Sequence, residues 1–181
     1  MPLEPFMEPL LTPNQNRLVM FPIQHTDVWD LYKKAVDSFW KAEDIDLSRD
    51  YADWIKMTAD EQHFIKIVLA FFAASDGIII ENLVSRFMVE IQSSEIRAFY
   101  AFQNSIENVH SETYSLLIDT YIKDSGEKNR MFNAIENFPC IQKKVNWALN
   151  SLFFSAESLM YVSISKLYVS EWTFSIKFWK A

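Results

Sequence analysis

From Ser94 to Ile122 the chain reads S-E-I-R-A-F-Y-A-F-Q-N-S-I-E-N-V-H-S-E-T-Y-S-L-L-I-D-T-Y-I, without a glycine or a proline. Glu95 sits in the opening turn and Asp124-Ser125-Gly126 follows as a breaker, so the stretch predicts one long helix. At about 100° per residue, Phe99, Gln103, Ile106, Leu117 and Tyr121 share one side, and Arg97, Asn104, Asn108, Ser115 and Asp119 the other. Glu107, His110 and Tyr114 fall inside the apolar stripe. Their i, i+3 and i, i+4 spacings let each neighbouring pair face a common point. A buried carboxylate costs several kcal/mol unless a cation or a proton compensates it. Against a total stability of about 5–15 kcal/mol, that cost demands a reason. Glu-x-x-His on a buried helix face is half of a carboxylate-bridged metal pair in a helical bundle.

Other signals point to the same kind of fold. With 181 residues the chain is long enough for one domain with a sizeable core. Half of it is apolar and 15% aromatic, while only 2 glycines and 6 prolines are present, which favours helices over a sandwich rich in tight turns. A formal charge of −7 without a basic patch argues against a nucleic-acid partner. The single Cys140 rules out an internal disulfide and suits a reducing compartment. The N-terminus lacks a basic start and an apolar run of signal length. The longest apolar stretch, Phe64 to Ile80, contains Lys66 and Asp76, so it reads as a buried helix and not as a membrane span. The expected location is the cytoplasm.

In chain order, residues 1–24 hold most of the prolines and read as an extended arm. Asp27 to Ala42 returns to helical spacing, and an acidic linker, Glu43 to Asp46, follows. Thr58-Ala59-Asp60-Glu61 has the form of a capping box. From Gln62 to Val89 the chain is apolar nearly all round, which predicts a central helix. Asp76 shares a face with Ile65, Leu69, Phe72, Ile80, Leu83 and Phe87, a second carboxylate buried by pattern. Gly77 marks either a local distortion or a close helix contact. Glu127 to Asn137 and Cys140 to Leu149 predict two more helices. Residues 151–181 change character, and Trp172 to Trp179 alternates as a strand would. The expected division is thus an arm over 1–24, a helical domain over 25–150 and a divergent tail over 151–181.

Each residue with chemistry also has a plainer reading. Glu107 and His110 could form no more than a core ion pair, but Asp76 on a second helix favours a metal. Carboxylates with imidazole and no thiolate suit iron or manganese better than structural zinc. Taken alone, Tyr114 reads as a core tyrosine, and its place one turn past His110 leaves a redox role open. Trp40 reads as an apolar anchor. His63 and His25 read as structural, the former on the surface.

The ordered segments resemble a known family, the small, radical-generating subunit of class I ribonucleotide reductase in its eukaryotic and viral form. They are Glu8 to Leu11, Phe21-Pro22-Ile23, Ser38 to Glu43, Leu69 to Ile78, Glu81-Asn82-Leu83, Glu107 to Asp124, and Asn133 to Glu136 with Pro139-Cys140. The resemblance implies an all-α, ferritin-like bundle that holds two irons and uses oxygen to oxidise a tyrosine to a stable radical. The oxidising equivalent then passes to a large subunit that reduces ribonucleoside diphosphates. By matching position, Asp76, Glu107 and His110 are implied metal ligands, Tyr114 the radical tyrosine, and Trp40 part of the electron-transfer path.

The family is much longer than this chain, and its site needs a further Glu and a second Glu-x-x-His. No histidine follows His110, and Glu157 is the nearest echo of the missing glutamate. The implied fold is therefore an incomplete bundle, truncated and divergent after about residue 149. The partners implied are the large subunit, although its docking tail is not recognisable, and a second small subunit in a homodimer or a heterodimer with a full-length chain. Two rival readings are an interaction module without catalysis and a dimeric half-bundle that oxidises iron.

Overall fold

A computed structural model describes residues 9–152, and every regular element among them is helical. The helices are α1 (Thr26–Asp37), α2 (Asp50–Trp54), α3 (Ala59–Asn82), α4 (Met88–Glu90), α5 (Ser94–Tyr121), α6 (Ser125–Phe132), α7 (Ala134–Asn137) and α8 (Pro139–Leu152). Short 3₁₀ turns form at Pro9–Leu11 and Ala42–Asp44, and a π-helical turn at Leu83–Phe87 joins α3 to α4. The chain divides into two compact units, one ending at Gln142 and the other beginning at Lys143 inside α8.

Helix α5 is the long helix its sequence demands. The Ser93 side chain caps it by accepting from the Ile96 N–H at 3.4 Å. Phe99, Ile106, Leu117 and Ile118 are buried along its inner stripe. At its far end the chain turns through Asp124, whose carboxylate accepts from the Glu127 N–H at 2.7 Å and so starts α6. The breaker after α5 is thus also the cap of the next helix.

The capping box at Thr58 forms in full. Thr58 Oγ1 accepts from the Glu61 N–H at 3.3 Å, and Glu61 Oε2 accepts from the Thr58 N–H at 2.8 Å. Helix α3 then packs against α5 as its principal neighbour among the described residues, with α6 and α7 also touching it. Its apolar residues exceed what this contact covers. Only Leu69, Ala70 and Asp76 are buried in α3, and Phe64 is 68% exposed. The central helix expected from Gln62 to Val89 is thus in contact with α5, α6 and α7 but only partly buried. By length and composition, Ala59–Glu90 is also the one segment among the described residues that could cross a membrane.

Several local expectations shift. Helix α1 stops at Asp37, where Ser38 turns its N–H and its hydroxyl back onto the carbonyls of Lys34 and Ala35. Phe39 and Trp40 therefore lie outside the helix expected to run to Ala42. The acidic linker is partly ordered, since the Lys41 N–H donates to Asp44 Oδ2 at 2.9 Å. Gly77 marks neither a distortion nor a close contact: a Cβ there would meet nothing within 4 Å. The distortion in this helix is the π turn that starts at Leu83. The expected strand at Trp172 to Trp179 lies outside the described residues.

The proline-rich arm is fastened to the core. The Gln92 N–H donates to the Leu10 carbonyl at 2.9 Å, and the Arg17 guanidinium reaches the carbonyls of Met88, Val89 and Ile91. Met88 and Val89 belong to the short helix α4 and Ile91 follows it, and a helix end leaves such carbonyls unsatisfied. Two ring pairs, Tyr32–Phe102 and Phe39–Phe102, hold α1 and the segment after it against α5.

Candidate metal centre

Helices α3 and α5 bring Asp76, Glu107 and His110 together. One ligand atom from each lies within 4.8 Å of the others. All three are buried, at 1%, 3% and 8% exposure respectively. His110 Nδ1 stands 3.1 Å from Glu107 Oε2, and the Gln103 amide donates to Glu107 Oε1 at 3.3 Å. The i, i+3 and i, i+4 spacings on α5 make both contacts geometrically natural. The Gln103 amide thereby helps to orient the Glu107 carboxylate.

Aromatic rings surround the cluster. The Trp40 ring lies 5.7 Å from the imidazole of His110. Tyr114 is 6.2 Å from His110 on the same helix and stacks on Phe72 of α3 at 5.2 Å and 16°. Phe72 lies one turn before Asp76, so the two helices present the Asp76, Glu107 and His110 cluster and an aromatic layer side by side. His63 is exposed and His25 half-buried, and neither joins the cluster. Glu157 lies outside the described residues.

The donor set can be tested against a metal. Two carboxylates and an imidazole, without a thiolate, suit ferrous or manganous ions, and burial gives the negative charge a reason to seek a cation. Three donors fit one such ion with open positions. They do not by themselves fit a pair, and among the described residues the group comprises these three alone.

The family model for the ribonucleotide reductase small chain matches residues 17–179. The chain belongs to the ribonucleotide reductase small-chain family. It is 63% identical over 142 residues to the ribonucleoside-diphosphate reductase small chain of monkeypox virus, covering 78% of this chain and 44% of that one. The corresponding protein of Yaba-like disease virus is 60% identical over 141 residues, covering 78% and 43%. Among solved structures, the ribonucleotide reductase Rnr4 homodimer of Saccharomyces cerevisiae superposes with a TM-score of 0.64 at 36% identity, covering 75% of this chain and 43% of that one. The R2 subunit from Clostridium botulinum, at 20% identity and a TM-score of 0.61, shares the ferritin-like fold. This chain therefore spans less than half the length of the small chains it matches, and the family match itself continues past Leu149 to residue 179.

Sequence reasoning missed one buried carboxylate. Glu95 was expected only as a favourable charge in the first turn of α5, yet it is 2% exposed. Its Oε1 accepts from the N–H groups of Gln24 and His25 at 2.9 and 2.8 Å. Burial alone would raise its pKa, but these backbone donors, its own N–H and the Ser93 hydroxyl outweigh burial and lower it to about 2. Glu95 is thus the joint between the arm and α5. Its partners lie too far away in sequence for any periodicity to reveal them.

Proposed function

We propose that this chain provides the first half of a class I ribonucleotide reductase radical centre: the Asp76, Glu107 and His110 ligand set, the adjacent Tyr114, and the Trp40 approach to it. The observation that carries this reading is the convergence of the three buried ligands within 4.8 Å, with Tyr114 one turn along α5. The bound metal would be iron, with manganese as the other ion the donors suit. Asp76 would hold it from α3, and Glu107 and His110 from α5. In this family the metal pair supplies, with oxygen, the oxidising power to remove one electron and one proton from a tyrosine.

The protein's own residues do the remaining work. His110 Nδ1 and Glu107 Oε2, 3.1 Å apart, hold each other in place beside Asp76. Asp76, Glu107 and His110 would hold a cation in their deprotonated forms. Gln103 keeps Glu107 turned towards the cluster. Phe72 covers one face of the Tyr114 ring and so limits water access to the phenol. Trp40 stands against the imidazole, where an electron travelling to the centre would enter. The proposed partners are the large subunit, which would use the oxidising equivalent on ribonucleoside diphosphates, and a second small subunit. The proposed location is the cytoplasm.

A single half of the ligand set binds iron but does not build the two-metal oxidant that Tyr114 requires. Electron paramagnetic resonance of ferrous-loaded, oxygen-exposed protein tests this. The chain alone should give no persistent tyrosyl signal. Reconstitution with a polypeptide covering the remaining length of a viral relative should produce one, and Tyr114→Phe should abolish it. A stable Tyr114 signal from the chain alone would show that it completes the centre by itself.

A further inference from the structure

A second tyrosine of α5 has a setting that the metal-centre reading does not use. Tyr121, the last residue of α5, donates its phenol O–H to Asp50 Oδ2 at 2.8 Å. Asp50 opens α2, and Trp54 closes it. The Trp54 ring stacks on the Tyr121 ring at 4.8 Å and 12°, closer and more nearly parallel than the Phe72–Tyr114 stack. Trp54 is buried, at 6% exposure. The Lys66 ammonium lies 5.9 Å from the Trp54 ring centroid while pairing with Glu127 at 2.7 Å.

We propose that Trp54, Tyr121 and Asp50 form a second oxidisable site, in which a hole reaching Trp54 is filled from Tyr121 as its phenolic proton moves to Asp50. The step balances. An outer-sphere one-electron oxidant takes an electron from Trp54, leaving an indole radical cation. Tyr121 returns one electron to Trp54, and its O–H proton crosses the existing hydrogen bond to Asp50 Oδ2. The products are neutral Trp54, a neutral Tyr121 phenoxyl radical and a protonated Asp50 carboxyl; an electron from a reductant reverses the sequence.

Three features favour this direction. The carboxylate already accepts the proton that a phenol must lose on oxidation, so no group has to move. The stacked rings give the electron a short path. A cation beside Trp54 disfavours positive charge on the indole and pushes the hole onto Tyr121. Burial, together with the bond to Asp50 and the charge of that carboxylate, raises the Tyr121 pKa, so the phenol enters the reaction protonated. Tyr114 and Tyr121 are seven residues apart on one helix, a rise of about 10 Å. A hole escaping from the metal centre therefore has a nearby site at which to rest. That last use rests on the radical reading above; the oxidisability of Tyr121 does not.

The test uses the full chain without metal, so its failure is distinct from failure of the iron reading. Photogenerated ruthenium(III) tris-bipyridine, with persulfate as the sacrificial acceptor, oxidises the protein in a flash-quench experiment. Radicals are followed by transient absorption and by freeze-trapped electron paramagnetic resonance. The wild-type chain should give a tyrosyl signal that Tyr114→Phe retains. In Tyr121→Phe a tryptophanyl signal should replace it, an exchange that a merely structural tie between α2 and α5 would not produce. Asp50→Asn should slow formation of the tyrosyl radical roughly 10²-fold, the low end of what a positioned proton acceptor contributes, and Asp50→Glu should restore it. Circular dichroism confirms that each variant is folded, and Tyr114→Phe supplies a second reading should Asp50→Asn unfold. A tyrosyl signal unchanged in Tyr121→Phe, one lost in Tyr114→Phe, or a wild-type rate in folded Asp50→Asn would overturn the proposal.

Discussion

Glu95 and Glu107 lie on the same helix and are both buried, yet their charges are compensated in opposite ways. Backbone N–H groups of the arm surround Glu95, whereas Glu107 faces a histidine and a second carboxylate. The first arrangement is complete without a metal. Because folding lowers the Glu95 pKa from 4.5 to about 2, it adds stability that is fully present above the unfolded value. That stability is lost as pH falls from 4.5 towards 2. Glu95→Gln should cost about 2 kcal/mol at neutral pH, the scale of hydrogen bonds to a charged acceptor, and should flatten the acid limb of the stability curve. Urea unfolding at pH 7 and pH 3 checks both effects. For the proposed metal site, Gln103→Leu should weaken ferrous binding about 10- to 100-fold without unfolding the protein, as expected for loss of an outer partner. Isothermal titration under nitrogen measures it. The two carboxylates also differ in legibility. Glu107, His110 and Asp76 announced themselves because polar residues broke an apolar periodicity on two helices. Glu95 did not, since a glutamate in a first turn has an ordinary local reason to be there and its partners lie about seventy positions away.

At the scale of elements, the strongest local signals mapped onto structure most faithfully. The glycine- and proline-free run became α5, and the Thr58–Glu61 box caps α3 as its spacing demands. Thr58→Ala should therefore lower stability by about 1 kcal/mol, read as a shift in the urea midpoint with an unchanged slope. Short elements escaped. Helix α2 is five residues long and lacks room for a helical period, and it exists because Trp54 packs on Tyr121 and Asp50 holds the phenol of Tyr121. The break of α3 into a π turn at Leu83 has no glycine or proline to signal it. The segment expected as one helix from Glu127 to Asn137 is two, α6 and α7, with Asn133 between them outside helical backbone angles. In each case tertiary contacts or backbone geometry decided what the local pattern left open.

At the scale of the whole molecule, several large apolar side chains of the described residues are exposed. Phe64 is 68% exposed on α3, and Leu18 and Phe21 of the arm are 85% and 66% exposed. Surface of this kind favours association. Sedimentation velocity at micromolar concentration should show a reversible, concentration-dependent increase in mass, reduced by Phe64→Lys. A single monomeric species at all concentrations would count against it. Family membership was legible because the ligand motifs and their flanks lie in the half of the small chain represented here. The matched 142 residues cover 44% of the monkeypox virus small chain, so most of that relative's length lies outside the match. A metal site formed by Asp76, Glu107 and His110, as proposed, has a direct test. Anaerobic titration with ferrous iron, followed by desalting and metal analysis, should find about one iron per chain, held by the three donors. Binding should release protons, weaken as pH falls, and disappear in His110→Ala. Two tightly held irons per chain, or iron retained undiminished in His110→Ala, would contradict the account.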